Sequence, residues 1–410
     1  MENIIQENRE YLRSKQIYNR NHYLDKFSNL LSKNNVLVIE WQRRVGKSSI
    51  IISFLNSYNI DLDNVFYINK ELDLFDNIKD ATDLEKMFQE FKKKHKEPEY
   101  IIIDEIQDIN NWEKFIRKYQ SLQKYNIVIT WSNSQLLSWE LSTYLTGRYL
   151  TLEVLPFDYV EFLDFKWLSK SHDSFQEYIQ YGWLPEVLNI TIQETKKNYL
   201  QNVLSNIVLK DIVARYQIRD IKLIDKMLAY FSDNLWSLVS ITNITNYLQN
   251  QFKKEYSSKT LANYIKYLSY PYIINEVPRY DIKWKKILEY VSKYYFTDIG
   301  IANSFGFVFA RDIGKILENI VYLKLKKDWY EVYVWENKKY EIDFVATKNW
   351  EKMYIQVCYL LLSDNVIQRE FGNMQKIKDN YPKYVISMDK SFGSSYDGIE
   401  NVYIIDWLCK

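Results

Sequence analysis

Residues 36 to 49 read Val-Leu-Val-Ile-Glu-Trp-Gln-Arg-Arg-Val-Gly-Lys-Ser-Ser. An apolar run, a polar loop and then Gly46-Lys47-Ser48 at the head of a new apolar stretch give the order strand, loop, helix. That order turns consecutive backbone N–H groups and a helix N-terminus toward an anion. In such a loop Trp41, Gln42, Arg43, Arg44, Val45 and Gly46 line the phosphate cradle. Lys47 reaches the β and γ phosphates, Ser48 ligates Mg²⁺, and Ser49 continues the helix start. A Gly-Lys-Ser triplet by itself is equally well an ordinary exposed helix start. A second motif about 60 residues on decides between the two. Tyr100-Ile-Ile-Ile-Asp104-Glu105 is an apolar strand that delivers two acids at its C-terminal end, the edge where open parallel sheets hold ligands. Asp104 suits Mg²⁺, and Glu105 is placed to polarise an attacking water. Together the motifs predict binding and hydrolysis of ATP with Mg²⁺ as cofactor.

Two further residues are candidates for the same site. Asn133, in Ser-Asn-Ser after the next strand, orients water against the γ phosphate or is a plain turn residue. Arg148, in Thr-Gly-Arg-Tyr, is an arginine finger or sensor, or a surface arginine. Positioning these groups requires a parallel sheet wound with helices. Strands are predicted at Val36 to Glu40, Val65 to Ile68, Tyr100 to Ile103, Ile127 to Thr130 and Tyr149 to Val154. Helices are predicted at Ser48 to Asn56, Leu84 to Lys94, Trp112 to Lys124 and Leu136 to Tyr144. The fold class is α/β, with an ATPase core over 1–160 and a helical lid over 161–216. A winged-helix module follows over 217–290, with strand-like pieces at 272–274 and 278–280. A second α/β unit over 291–410 has a helix at Gly314 to Lys327 and strands at Glu331 to Val334, Tyr340 to Ala346, Met353 to Tyr359 and Tyr403 to Ile405.

Composition narrows the classes. The chain has 410 residues, 54 basic against 53 acidic, so it lacks the charge of a dedicated nucleic-acid binder. No apolar run approaches the roughly 18 residues of a membrane span, and the polar N-terminus lacks the apolar stretch of a secretory signal. A cytoplasmic protein is expected. Cys358, Cys409 and the scattered His22, His95 and His172 build neither a disulfide framework nor a zinc site. Glycine is unusually scarce, 9 residues, while tryptophan reaches 12.

Gln-Arg-Arg-Val-Gly-Lys-Ser, Ile-Ile-Ile-Asp-Glu-Ile-Gln, Leu-Thr-Gly-Arg-Tyr, Leu-Pro-Phe and Glu-Ile-Asp-Phe, in this order, resemble the prokaryotic AAA-like P-loop ATPases fused to a C-terminal domain of unknown function. The resemblance covers nearly the whole chain. It implies an ATPase core, a winged-helix segment and a nuclease-like C-terminal fold. It also implies glycine at Trp41, Trp131, Trp139, Trp183, Trp236, Trp284, Trp329, Trp335 and Trp350, whereas Trp112 and Trp407 read as true tryptophans. Glycine serves where φ is positive or backbone approaches a ligand, and an indole there clashes or strains the turn. A gene that reads UGA as glycine, translated with UGA as tryptophan, produces this pattern. A chain that has lost nucleotide binding is the alternative.

Ser237 to Leu248, a polar break and Ser258 to Leu268 resemble a helix, a turn and a recognition helix. Residues 216–293 hold 12 Lys and Arg against 7 Asp and Glu, a net of +5. DNA contact and packing against a protein partner are equal alternatives for this module. Further on, Glu318, Glu341, Asp343, Gln356 and Cys358 resemble a restriction-endonuclease-like arrangement, in which strand carboxylates hold Mg²⁺ and a lysine supports the attacking water. Cys358 occupies the lysine place, and a neutral thiol cannot supply that charge. An ATP-gated DNA-processing protein with a degenerate nuclease domain, and a nucleotide-dependent binding scaffold, are therefore the alternatives to an ATPase that drives a conformational cycle. An arginine donated between subunits makes a homo-oligomer one arrangement of such a site.

Overall fold

The computed structural model describes residues 2–15, 17–133, 143, 145, 147–234, 237–281, 286–304, 313–336, 340–390 and 392–410. The chain divides into two compact units, Met1–Val154 and Leu155–Lys410.

In the first unit, helices α1 (Glu2–Ser14) and α2 (Asn21–Leu30) precede an alternation of strands and helices. The strands are β1 (Val36–Glu40), β2 (Val65–Asn69), β3 (Tyr100–Asp104), β4 (Asn126–Trp131) and β5 (Tyr149–Glu153). The helices between them are α3 (Lys47–Ser57), α4 (Ala81–Lys94) and α5 (Trp112–Gln120). All four strand pairings are parallel and the sheet order is β2-β3-β4-β1-β5. Residues 36–39 of β1 and the whole of β2 and β4 are buried, as strands covered on both faces must be. α4 is started by Asp80, whose carboxylate accepts from the N–H groups of Thr82 (2.7 Å) and Asp83 (3.1 Å). α5 buries Trp112, Phe115, Ile116 and Tyr119, the i, i+3, i+4, i+7 face of one helix. The helix expected at Leu136 to Tyr144 falls almost wholly outside the described residues.

The second unit begins with α6 (Tyr159–Lys166), α7 (His172–Tyr181), α8 (Pro185–Leu188) and α9 (Gln193–Asn206), which runs on as a π-helix to Ala214. α10 (Ile221–Asn234), α11 (Ile241–Phe252) and α12 (Ser258–Ser269) follow, and then the hairpin β6 (Ile274–Asp281) and β7 (Lys286–Phe296). After α13 (Ile299–Ser304) and α14 (Ile313–Lys327) come β8 (Glu331–Glu336), β9 (Glu341–Lys348), β10 (Glu351–Cys358), α15 (Asp364–Gln375), β11 (Lys383–Ser387), β12 (Ser395–Tyr396), β13 (Ile399–Tyr403) and α16 (Ile404–Leu408). The eight strands form one sheet of order β12-β13-β11-β10-β9-β8-β6-β7. Thus the hairpin that follows the three-helix segment extends the C-terminal sheet, β6 lying beside β8. The strand expected at Tyr403 to Ile405 ends instead at Tyr403, where a helix begins. Ile404, Ile405 and Leu408 are buried together, the spacing of a helix face. Among the described residues no helix is long and apolar enough to cross a membrane.

Candidate nucleotide site

β1 ends at Glu40 and α3 begins at Lys47, so the loop between them leaves the C-terminal edge of the sheet at its second-last strand. Gly46 caps α3 at φ 98°, a left-handed conformation that glycine adopts without strain. A Cβ there would meet nothing nearer than 3.9 Å, so the backbone angle rather than space requires glycine. Lys47 is buried, and its Nζ donates to the carbonyl oxygens of Trp41 (3.0 Å) and Gln42 (3.1 Å). The same Nζ stands 3.6 Å from Glu105 Oε1. The two motifs, remote in sequence, therefore share one buried site. The Gln42 side chain is fully buried, and neither its amide nitrogen nor its oxygen has a hydrogen-bond partner. A buried polar group left unpaired costs about 1–3 kcal/mol.

The acid pair is anchored by β4. Thr130 Oγ1 accepts the N–H of Glu105 at 2.8 Å and donates to Asp104, which also accepts from the Tyr67 hydroxyl at 3.0 Å. Ser48 hydrogen-bonds the Asp104 carboxylate, joining the two residues expected to hold Mg²⁺. Burial, with Glu105 alongside, pushes the Asp104 carboxyl up, and the Ser48 and Thr130 bonds offset part of this. Glu105 has φ 57° and accepts from Gln107 Nε2 (2.5 Å) and Ser132 Oγ (2.9 Å). Arg43 lies 3.3 Å from it and 3.3 Å from Glu71. Burial pushes the Glu105 carboxyl up, but Lys47 and Arg43, together with the Gln107 and Ser132 bonds, outweigh burial and hold it below its ordinary value. This site is thus polarised into a reluctant anion at Asp104 and a firm one at Glu105. Thr130, Ser132, Tyr67 and Gln107 are missing from the sequence reading. The signal was there in Ile129-Thr130-Trp131-Ser132, where polar residues alternate at the end of an otherwise apolar strand.

Asn133 is fully buried just beyond β4, on the same edge. Arg148 is not brought to this site. Its carbonyl accepts the N–H of Val36, at the start of β1, and its residue is exposed. The five residues of β1 separate it from the loop, about 16 Å at a strand rise of 3.3 Å per residue. Arg148 therefore stands away from the loop and the acid pair of its own chain, exposed at the opposite end of the sheet. Trp41 has φ 144° and is 3% exposed, so its indole is buried at the loop position where the pattern calls for glycine.

The second unit gathers the other expected acids. Lys293 of β7, Glu318 of α14, and Glu341 and Asp343 of β9 converge. Lys293 Nζ is 3.1 Å from Glu318, 2.6 Å from Glu341 and 3.6 Å from Asp343. Tyr295 donates to Glu318 at 2.6 Å, and Asp343 Oδ2 accepts the N–H of Val357 at 2.8 Å. Burial works against the Lys293 ammonium, but the carboxylates more than compensate and hold its pKa above the ordinary lysine value. Burial pushes Asp343 and Glu318 up. Cys358 is buried, and burial pushes its thiol up as well. The ammonium among these carboxylates thus comes from β7, an element that sequence spacing alone does not connect to β9. Among the described residues no group of three His, Cys, Asp or Glu is arranged to hold a metal ion.

Residues 33–163 match the family model of the AAA domain, and residues 172–312 match a domain of unknown function, DUF8612. A protein of Haemophilus influenzae described as uncharacterized is 32% identical over 96% of this chain and 99% of its own length. Another, from Methanocaldococcus jannaschii, is 33% identical over 92% of this chain and 86% of its own. Among solved structures, the Aeropyrum pernix ORC1 protein in complex with DNA is 12% identical, with 72% of this chain and 94% of that chain covered, at a TM-score of 0.36. With a parallel sheet carrying the Gly-Lys-Ser loop and the acid pair on one edge, and with relatives 32% and 33% identical over most of the chain, the chain belongs to this family of AAA-like P-loop ATPases with a C-terminal domain of unknown function.

Proposed function

We propose that the protein binds and hydrolyses Mg²⁺-ATP in its first unit and uses the cycle to change the state of its C-terminal modules. One observation carries this reading: Lys47 and Glu105, from separate motifs, are buried 3.6 Å apart beside a Gln42 amide that has no partner. Residues 41–49 hold the phosphates, with Lys47 exchanging its two loop carbonyls for phosphate oxygens. Ser48 and Asp104 are the pair that holds Mg²⁺, which when bound neutralises charge on the phosphates. Glu105 accepts the proton of the attacking water and Asn133 orients that water. Arg148 serves a neighbouring subunit, which makes the working form an oligomer. Such a protein acts in the cytoplasm, where ATP and Mg²⁺ are at hand.

A second reading assigns the coupled work to DNA. It is favoured by Lys293, which gives the Glu318, Glu341 and Asp343 cluster the buried ammonium that Cys358 lacks. α12, with Lys259 and Lys266 exposed, would be the element that meets DNA as part of a winged helix. Cleavage of supercoiled DNA by the protein, lost in Asp343→Asn, supports this reading. No cleavage, with ATP turnover intact, removes it.

Titration of Mg²⁺-ATP into the tryptophan-containing chain and into Trp41→Gly tests the main proposal. Trp41→Gly is expected to bind in the micromolar range, Lys47→Ala in that background to lose binding, and Glu105→Gln to keep binding while losing turnover. If neither the tryptophan-containing chain nor the Trp41→Gly variant binds nucleotide, the proposal fails.

A further inference from the structure

Four tryptophans stand on backbone that glycine normally occupies. β9 and β10 are joined by Asn349-Trp350, with Lys348 paired to Glu351 across the two-residue loop. Both loop residues have positive φ, 49° and 69°. That is a type I′ turn, whose preferred sequence is Asn-Gly because both central residues need φ above zero. Trp350 is 101% exposed, so no packing of the indole offsets the strain.

Two more stand at helix ends. After α14, the N–H of Trp329 bonds to Lys326 O (3.0 Å) and that of Tyr330 to Leu325 O (3.0 Å). After α6, the N–H of Trp167 bonds to Asp164 O (3.3 Å) and that of Leu168 to Leu163 O (2.9 Å). Both are the paired 5→2 and 6→1 bonds of a Schellman motif, and in both the tryptophan holds the left-handed position, φ 66° and 55°, that glycine usually fills. Trp167 is 94% exposed. The fourth is Trp41 in the phosphate loop, at φ 144°.

Positive φ in a non-glycine residue is uncommon, a few per cent of positions, and asparagine and aspartate account for much of it. Here four of the nine tryptophans among the described residues have it, against ten residues of all other non-glycine types. No property of an indole favours such angles. The other five described tryptophans make no such demand. Trp112, Trp131, Trp183, Trp335 and Trp407 have ordinary φ, and Trp183 Nε1 donates to Tyr178 O at 3.0 Å. Of the nine positions at which glycine was expected, the backbone therefore supports 41, 329 and 350, makes no case at 131, 183 and 335, and adds 167. Positions 139, 236 and 284 lie outside the described residues.

We infer that the working protein carries glycine at 41, 167, 329 and 350, so that these four codons are read as glycine in its own cell. At 41 this opens the phosphate loop, a consequence that rests on the ATPase reading. At 167, 329 and 350 it relieves turns in the other unit and needs no nucleotide. The test has two arms. Peptide masses of the protein purified from its own cells are expected to fit glycine at all four positions, encoded by UGA. UGG codons, or tryptophan-containing peptides at 167 and 350, would overturn the inference. In recombinant protein, Trp350→Gly and Trp167→Gly are each expected to raise the melting temperature by about 2–4 °C. Trp112→Gly, which removes a buried ring stacked edge-on against Trp131, is expected to lower it. A fall for Trp350→Gly comparable to that for Trp112→Gly refutes the inference. ATP binding by Trp41→Gly is read separately, so a failure of the ATPase proposal leaves the two stability results standing.

Discussion

Lys293→Met is the sharpest probe of the second unit. The substitution keeps the aliphatic stem and removes an ammonium whose side chain is 2% exposed and which is shared by three carboxylates at 2.6, 3.1 and 3.6 Å. At an effective permittivity near 20 each close contact is worth about 5 kcal/mol before desolvation. Taking the ammonium out of water opposes this by several kcal/mol, and breaking one partner out of a buried cluster typically costs about 3–5 kcal/mol. The loss should depend on pH with a definite sign. Asp343 and Glu318 already have raised carboxyl pKa values, because burial disfavours their charge. Without Lys293 they rise further, so the native state holds protons that the unfolded state releases above about pH 4. Stability of the variant is then greatest in acid and falls as pH rises through the raised folded values. The expected result is a loss of about 3–5 kcal/mol at pH 8 that shrinks toward pH 5. Hydrogen exchange of β7 and β9 amides in the full-length chain reads it locally. Adding Glu318→Gln should recover a large part of the loss, since it removes one of the stranded charges. A loss below about 1 kcal/mol at pH 8, or one equal at pH 5 and pH 8, refutes the reasoning.

Three other outcomes are expected. Asp298 is buried and its carboxyl is pushed up to about 6, against an ordinary 3.8, mainly by burial and despite the N–H groups of Trp183 and Ile301. A raised acid favours the native state at low pH, so stability of the second unit should decline by about 3 kcal/mol as pH rises from 4 through 6. Asp298→Asn should flatten that slope in urea titrations at several pH values. Arg43→Gln removes one of the two cations that hold the Glu105 carboxyl below its ordinary value, so in the Trp41→Gly background the acid limb of the ATPase pH profile should move to higher pH. Arg148→Ala should leave nucleotide affinity of the dilute protein unchanged, because Arg148 stands at the opposite edge of the sheet; a tenfold loss of affinity in calorimetry would contradict that placement.

What could be read in advance follows the range of each interaction. β1 was predicted to the residue and β2 to β5 to within a residue or so at each end, because parallel strands buried on both faces appear as continuous apolar runs, a signal that lies within the strand itself. Lys47, Ser48, Asp104 and Glu105 were legible for a similar reason: phosphate loop and acid pair each sit at a strand end, and the edge of the sheet does the rest. Side chains that act through a neighbour were not. Thr130 and Ser132 matter because β4 lies between β1 and β3, and nothing in Ile-Thr-Trp-Ser specifies that order. Lys293 was invisible because its partners are fixed by the joining of hairpin and C-terminal sheet, a contact across 48 residues to Glu341. Arg148 is the opposite case: its motif says nothing of strand direction, and β5, parallel to β1, sets it at the end of the sheet away from its own phosphate loop. The tryptophans combine both cases. Composition showed that something was amiss, but only φ distinguishes a tryptophan that a turn must strain to accept from one, such as Trp183, that the core has accommodated. Backbone angle is thus evidence about residue identity that is independent of family pattern. Where the two agree, at 41, 329 and 350, glycine has two separate supports; at 131, 183 and 335 it rests on the pattern alone.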